Sequence, residues 1–329
     1  MLVNIFKKKY TLQLLLLAIV PLIFWTQAFV NPPEVITNKF DMPIYKVIYD
    51  WAKDYQLFSS ICAFVLVILQ GLLINQLFTN NHLSQKNTFL PAFIYILLMS
   101  CSYQCMTLNS MLLANFLIIF ALYFFLNCSD KKEGIDEIYN SCALLSLASL
   151  FYAPAILFIL WIWLGLIIYK LYKWRSWLMS LLGILTPYVL ICIFYYLNGI
   201  DIQSTLLSHT NHWFHFDLNF LNEPIQVVYI ATLVLFSIPA IFTTLSSRSN
   251  RVIEYRKKSA VMFSLLIISI IPFFLSKTEY NMSFIFAPSL AFFLSNFFLH
   301  YHNQRKINTF FIIFILISII KVFFVTLQA

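Results

Sequence analysis

Residues 89–127 read "FLPAFIYILLMSCSYQCMTLNSMLLANFLIIFALYFFLN", thirty-nine positions without one charged side chain. They divide into two apolar runs, 89–105 and 111–127, with only "MTLNS" (106–110) between them. Each run is long enough, as a helix, to cross a hydrocarbon layer of roughly 30 Å. In lipid a helix satisfies its own backbone hydrogen bonds, and neither run shows the apolar/polar alternation of a barrel strand. So short a connection makes the two helices antiparallel neighbours with almost nothing outside the membrane at that turn.

The same pattern recurs outward in both directions. Eleven spans are expected, near 11–30, 56–77, 89–105, 111–127, 141–153, 155–172, 178–197, 225–245, 260–275, 282–298 and 307–327. Pro154, in "SLFYAPAIL", breaks the fifth from the sixth, because proline removes a donor and clashes with the preceding turn. Of the 329 residues 61% are hydrophobic and 10% charged, against about 25% charged in a soluble domain. The expected fold is an all-α polytopic membrane protein of about eleven transmembrane helices, with residues 1–329 forming a single integral membrane domain.

Charge placement orients the chain. With the N-terminus inside, inner segments hold sixteen of the twenty-one basic residues and five of the thirteen acidic ones. Outer segments hold Lys39, Lys46, Lys53, Lys277 and eight acids, and Lys321 lies within the last run. The positive-inside bias thus predicts an inside N-terminus and an outside C-terminus. It also accounts for the net charge of +8. No basic stripe with interleaved stacking aromatics lies outside the apolar runs, so nucleic acid is not an expected partner. The six cysteines sit in or beside apolar segments without a CxxC, which indicates neither a disulfide framework nor a thiolate metal site. The start, "MLVNIFKKKYTLQLLLLAIV", reads as a retained signal-anchor, with cleavage after Ala28 the alternative.

Three extramembrane segments stand out. The outer loop 31–55 carries an amphipathic helix from Met42, with Ile44, Val47, Ile48, Trp51 and Tyr55 on one stripe and Lys46, Asp50, Lys53 and Asp54 off it. Such a helix lies in the membrane interface, and Asp41 before Met42-Pro43 has the chemistry of its N-cap. The outer loop 198–224 has no Lys or Arg and gathers His209, His212, His215 and Asp217 among Trp213, Phe214, Phe216 and Phe220. On a helix the three histidines drift by about 60° per step, and on a strand His212 opposes the others. They read as an aromatic-anchored rim, a metal site, or the mouth of a lipid-phosphate site titrating near neutral pH. The basic cytoplasmic loop 246–259, with "SSRSNRVIEYRKK", faces anionic headgroups and lacks the glycines of a P-loop.

Within the spans, Lys321 either snorkels to the outer interface or meets an anionic partner. Gln70, Asn75, Asn115 and Asn296 are expected to hydrogen-bond between helices. Few charges lie at mid-span and only Gly71, Gly165 and Gly183 interrupt the runs, which argues against a transporter.

The layout of residues 1–200 resembles the GT-C class of membrane glycosyltransferases. The resemblance rests on a first span, an outer loop with an interfacial helix and an acid about ten positions beyond the span, then the paired spans 89–127 and 150–169. The chain overall also resembles an uncharacterised bacterial multipass family. The GT-C likeness implies an enzyme of the bacterial inner membrane that takes sugar from a polyprenyl-phosphate donor at the extracytoplasmic face. It implies Asp41, with Asp50 as the alternative, as general base or as ligand of a divalent cation. His209, His212 and Lys321 would then face the donor phosphate. Two features depart from the class: "QCMTLNS" lacks a second acid, and no large soluble domain follows the last span. The rival expectation is a non-catalytic membrane subunit of an envelope assembly.

Overall fold

The computed structural model describes residues 11–35, 41–84, 88–101, 106–130, 134–199, 224–246, 251–275, 282–300 and 304–328. Each of the eleven expected segments is helical over most of its length, and among the described residues there is no strand beyond one isolated bridge. In chain order the helices are α1 (Thr11–Val30), α2 (Pro43–Ala52), α3 (Gln56–Asn80), α4 (Leu90–Met99), α5 (Ser110–Asn127) and α6 (Ile135–Ser149). There follow α7 (Phe158–Tyr169), α8 (Trp174–Leu197), α9 (Pro224–Ser246), α10 (Ile253–Leu275), α11 (Met282–His300) and α12 (Gln304–Gln328).

Among the described residues, five helices are long and apolar enough to cross a membrane: α1, α3, α5, α8 and α9. Their outer faces expose large apolar side chains, among them Leu15 and Ile23 on α1, Leu185 and Leu190 on α8, and Leu235 and Phe242 on α9. Water tolerates no such continuous apolar surface, and lipid does. The chain is a helical membrane protein.

Three boundaries differ from expectation for physical reasons. Helix α6 starts at Ile135 instead of 141, because Gly134 turns the chain with φ +52° and Asp136 and Glu137 suit the positive N-terminal end of a helix. Helix α8 starts at Trp174 and α10 at Ile253, so charged residues expected in loops wind onto the first turns of both. The Pro154 break is a 3-10 turn, Ala153–Leu157, preceded by extended backbone at Tyr152.

Close helix packing uses the glycines. A Cβ on Gly71 would sit 2.6 Å from Ile96, one on Gly165 2.2 Å from the Phe125 ring, and one on Gly183 2.6 Å from the Tyr139 carbonyl oxygen. Here small residues let backbones approach, as in membrane helix pairs generally. Two of the expected polar partners join in one chain of hydrogen bonds. Tyr95 donates to Gln70 Oε1 (2.7 Å), Asn115 donates to the Tyr95 oxygen (2.9 Å), and Gln70 donates to the Leu112 carbonyl (2.9 Å). Asn75 differs, since its buried Oδ1 has no hydrogen-bond partner among the described residues.

The bundle has two chemically distinct ends. At one end Trp25 of α1 donates to Ser100 after α4 (2.9 Å), and the start of α5 meets Asp41 before α2. Asp41 in turn bridges to Tyr152 between α6 and α7. At the opposite end Tyr169 of α7 stacks on Phe125 of α5, and Phe298 of α11 meets Phe311 of α12.

Candidate functional site

Asp41 lies at the junction of three chain segments. Its backbone forms an antiparallel bridge with Tyr152, and the Met42 N–H donates to the Phe151 carbonyl at 3.2 Å. The helix break at Pro154 frees backbone groups that a membrane cannot solvate, and this short extended stretch supplies partners for them. The Asp41 side chain is 2% exposed and accepts a hydrogen bond from the Ser110 hydroxyl at the start of α5.

It does not cap α2. The N-cap position there is Met42, which has no side-chain acceptor, and Pro43 in the first turn already removes one of the orphan N–H groups. The carboxylate therefore serves the neighbouring helix hairpin instead of its own.

The "MTLNS" turn is held from several sides. Tyr45, fully buried on α2, donates to the Leu108 carbonyl at 2.9 Å, and the Leu108 N–H donates to Ser59 Oγ of α3 at 3.0 Å. Asn109 caps α5 by accepting from the Leu112 N–H at 2.7 Å. Burial first, and the Asp41 charge second, hold the Tyr45 phenol well above its ordinary pKa, so it stays a neutral donor. Sequence reasoning missed Tyr45, Ser59 and Ser110. Tyr45 lies off the apolar stripe yet faces protein, while Val47 (73% exposed) and Trp51 (46% exposed) of the stripe face outward.

That stripe borders a groove. Between α2, α6 and α8 runs an apolar channel of about 550 Å³, walled by Ile44, Val47, Ile48, Leu150, Leu190 and Phe194, with Pro187 and Tyr195 among its other lining residues. Its volume falls in the range of roughly 300–1,000 Å³ usual for ligand sites. Asp41 does not line it; Ile44, in the first turn of α2 just beyond Asp41, does.

Of the other sequence candidates, Asp50 is exposed and pairs with the exposed Lys53 of the next turn at 3.0 Å. The paired charge raises the Lys53 pKa. Lys321 lies toward the C-terminal end of α12. Its Nζ stands 3.9 Å over the Tyr229 ring of α9, and with Ser318 these side chains surround the Cys101 thiol just after α4. Lys321 is thus at the same end of the bundle as Asp41, since Cys101 follows the last residues of α4 and Ser110, which meets Asp41, opens α5. Helix α8 ends and α9 begins at this end too. His209, His212, His215 and Asp217 between them lie outside the described residues.

A divalent cation at Asp41 would need further anionic or imidazole donors. Among the described residues its neighbours are a hydroxyl and a phenol, and no group of three His, Cys, Asp or Glu side chains forms a metal set. The residues described there do not fit such an ion.

No curated protein and no solved structure matches the chain. A family model does match, over residues 43–329, beginning two positions after Asp41. By that match, which takes in α2 and every helix after it, the chain belongs to a family of unknown function, DUF6427.

Proposed function

We propose that the protein is a GT-C-like glycosyltransferase that uses a polyprenyl-phosphate-linked sugar at the extracytoplasmic face of a bacterial inner membrane. In this reading the eleven expected spans alternate from an inside N-terminus to an outside C-terminus, and the end bearing Asp41 faces out. The observation that carries the proposal is the apolar groove beneath α2, which runs beside the segment that sets Asp41. A carrier chain lying there would bring its phosphate toward the same end of the bundle.

Asp41 then takes the proton of the acceptor hydroxyl as that oxygen bonds to the sugar carbon. The bond from this carbon to the carrier phosphate breaks, and the charge stays on the phosphate. Lys321, His209 and His212 are assigned to that phosphate, where fixed positive groups stabilise developing charge. Asp41 must leave the Ser110 hydroxyl to act as the base.

A second reading has its own support. A carboxylate that is 2% exposed and hydrogen-bonded to Ser110 suits a structural tie, as in a non-catalytic membrane subunit of an envelope assembly. The test is release of labelled polyprenyl phosphate from polyprenyl-linked sugars by purified protein in nanodiscs, with bacterial envelope extract supplying the acceptor hydroxyl. Release by the wild type, lost in Asp41→Asn at equal folded yield, supports the transferase. Release that persists in Asp41→Asn removes Asp41 as the base, and no release from the wild type favours the structural subunit.

A further inference from the structure

The groove between α2, α6 and α8 has a blind end. Near the middle of α8, Pro187 leaves the Gly183 carbonyl without its helical donor, and the Thr186 hydroxyl donates to it at 3.1 Å. On the side of Pro187 away from Asp41, α6 and α8 are in direct contact. A Cβ on Gly183 would lie 2.6 Å from the Tyr139 carbonyl oxygen, and Ser146 donates to the Ile184 carbonyl at 2.8 Å. Leu147 and Pro187 are the lining residues next to those contacts, so the space stops there.

Toward the Asp41 end only α8 continues: α6 stops at Ser149, whereas α8 runs on to Leu197. Helix α2 fills the vacated side in part. Leu150, Ile191 and Tyr195 form a small cluster of their own there with Ile44 and Tyr188, separate from the main core. From Pro187 to Tyr195 the groove follows α8 for about 12 Å. Its volume of about 550 Å³ admits roughly eighteen groups of ~30 Å³, the share of one water molecule, and a methylene is of that size. Val47, 73% exposed, and Leu190, 67% exposed, leave its flank open to lipid.

We propose that the groove holds only the part of the carrier next to its phosphate, up to about the length of a farnesyl chain, and leaves the rest in the bilayer. The inference rests on the transferase reading for the identity of the chain. Burying a charge among apolar walls is costly, so the phosphate keeps to the membrane surface. That surface lies at the Asp41 end, where Ile44 and Tyr195 line the groove. The hydrocarbon nearest the phosphate therefore fills the groove. At Leu147 and Pro187 it meets the blind end, and a longer chain has to turn out through the flank beside Val47 and Leu190. Further isoprene units meet lipid alone and add no affinity.

The experiment uses the full chain in nanodiscs and farnesyl phosphate with a photoreactive diazirine on its last isoprene unit, the labelled residues being located by mass spectrometry. Labelling is expected on the lining segments 44–48 and 187–195. Unlabelled farnesyl and undecaprenyl phosphates should suppress it at bilayer mole fractions within about threefold of each other. Undecaprenyl phosphate acting at a mole fraction more than about threefold lower, or labelling elsewhere alone, overturns the proposal. Leu190→Trp and Val47→Trp, at side chains that face lipid, should fill the groove and cut labelling by roughly tenfold. Labelling at the wild-type level in both variants overturns it. Binding needs neither acceptor nor transfer, so the two readings fail separately. Groove labelling without release of polyprenyl phosphate keeps the chain site and refutes the transferase. Release with a strong preference for the long carrier keeps the transferase and refutes the short site.

Discussion

The Ser110 hydroxyl donates to the Asp41 carboxylate across 69 positions of sequence, tying the entry to α2 to the first turn of α5. Both groups are buried, Ser110 at 1% and Asp41 at 2% exposure. Without Ser110 the carboxylate would lose a donor inside the protein, and a charged group pays more for that loss than a neutral one. Ser110→Ala is therefore expected to destabilise by about 2–3 kcal/mol. Asp41→Asn keeps an acceptor for the hydroxyl and should cost less, about 1 kcal/mol. Thermal unfolding of both variants in one detergent gives the order, and carbodiimide labelling of Asp41 should rise in Ser110→Ala. If Asp41→Asn proves the more damaging of the two, the carboxylate charge contributes more to the fold than the bond from Ser110 does.

Tyr45 offers a pH test with a definite sign. Its phenol is buried, donates to the Leu108 carbonyl, and titrates above the ordinary 10.0 of tyrosine. A raised pKa means the folded state holds the proton more tightly than the unfolded state. The resulting stability is complete below the unfolded pKa and falls as pH rises through and beyond it. Tyr45→Phe should lose about 1 kcal/mol at neutral pH from the unmade hydrogen bond. The gap to the wild type should narrow above pH 10.0, because only the wild type must keep this phenol neutral. A gap that is constant up to strongly alkaline pH would show that Tyr45 does not titrate with unfolding.

The helical segments were legible in the sequence because lipid allows few alternatives: uncharged runs of sufficient length must satisfy their own backbone. Even the Pro154 break was readable. What it connects to was not, since the partner of Tyr152 is Asp41, more than a hundred residues earlier, and no local pattern encodes that pairing. Asp41 drew notice as a capping acid and belongs to the correct region, yet its hydroxyl partner lies in "MTLNS", where Ser110 resembles any other helix-starting serine. The stripe on α2 was identifiable, but the helix turns Tyr45 to the protein and leaves Val47 and Trp51 outward. Periodicity gives the angle between residues and not the direction in which the helix faces.

Gly183 tests how closely α8 rests on α6. A Cβ there would lie 2.6 Å from the Tyr139 carbonyl oxygen and 2.8 Å from the Cys142 Cβ. Both obstacles are backbone or first-atom positions, so no side chain can swing aside, and the helices must separate. Gly183→Ala is expected to cost about 1–3 kcal/mol. It should also disturb the contacts further along the same pair, where Ser146 donates to the Ile184 carbonyl at 2.8 Å and Ser149 meets Tyr188 at 2.7 Å. Unfolding measurements on Gly183→Ala and Ser146→Ala, alone and together, should give less than the sum of the separate losses. Full additivity would mean that the two contacts are independent and that α8 adjusts locally.

Lys321 and Tyr229 settle whether the charge in α12 serves the fold or a ligand. With Nζ 3.9 Å over a buried ring, the pair should be worth about 2 kcal/mol as a desolvated cation–π contact. Tyr229→Phe preserves the ring face and should keep most of that energy, whereas Tyr229→Leu should lose it. In a double-mutant cycle with Lys321→Met, the Leu series should show a coupling of about 1–2 kcal/mol. A structural pair stops there. If Lys321 also holds the donor phosphate, Lys321→Met should weaken donor binding while Tyr229→Phe leaves it unchanged, because the ring positions the ammonium without touching the donor. Loss of stability with unaltered donor binding in Lys321→Met would confine this lysine to the fold and leave the phosphate to the loop between α8 and α9.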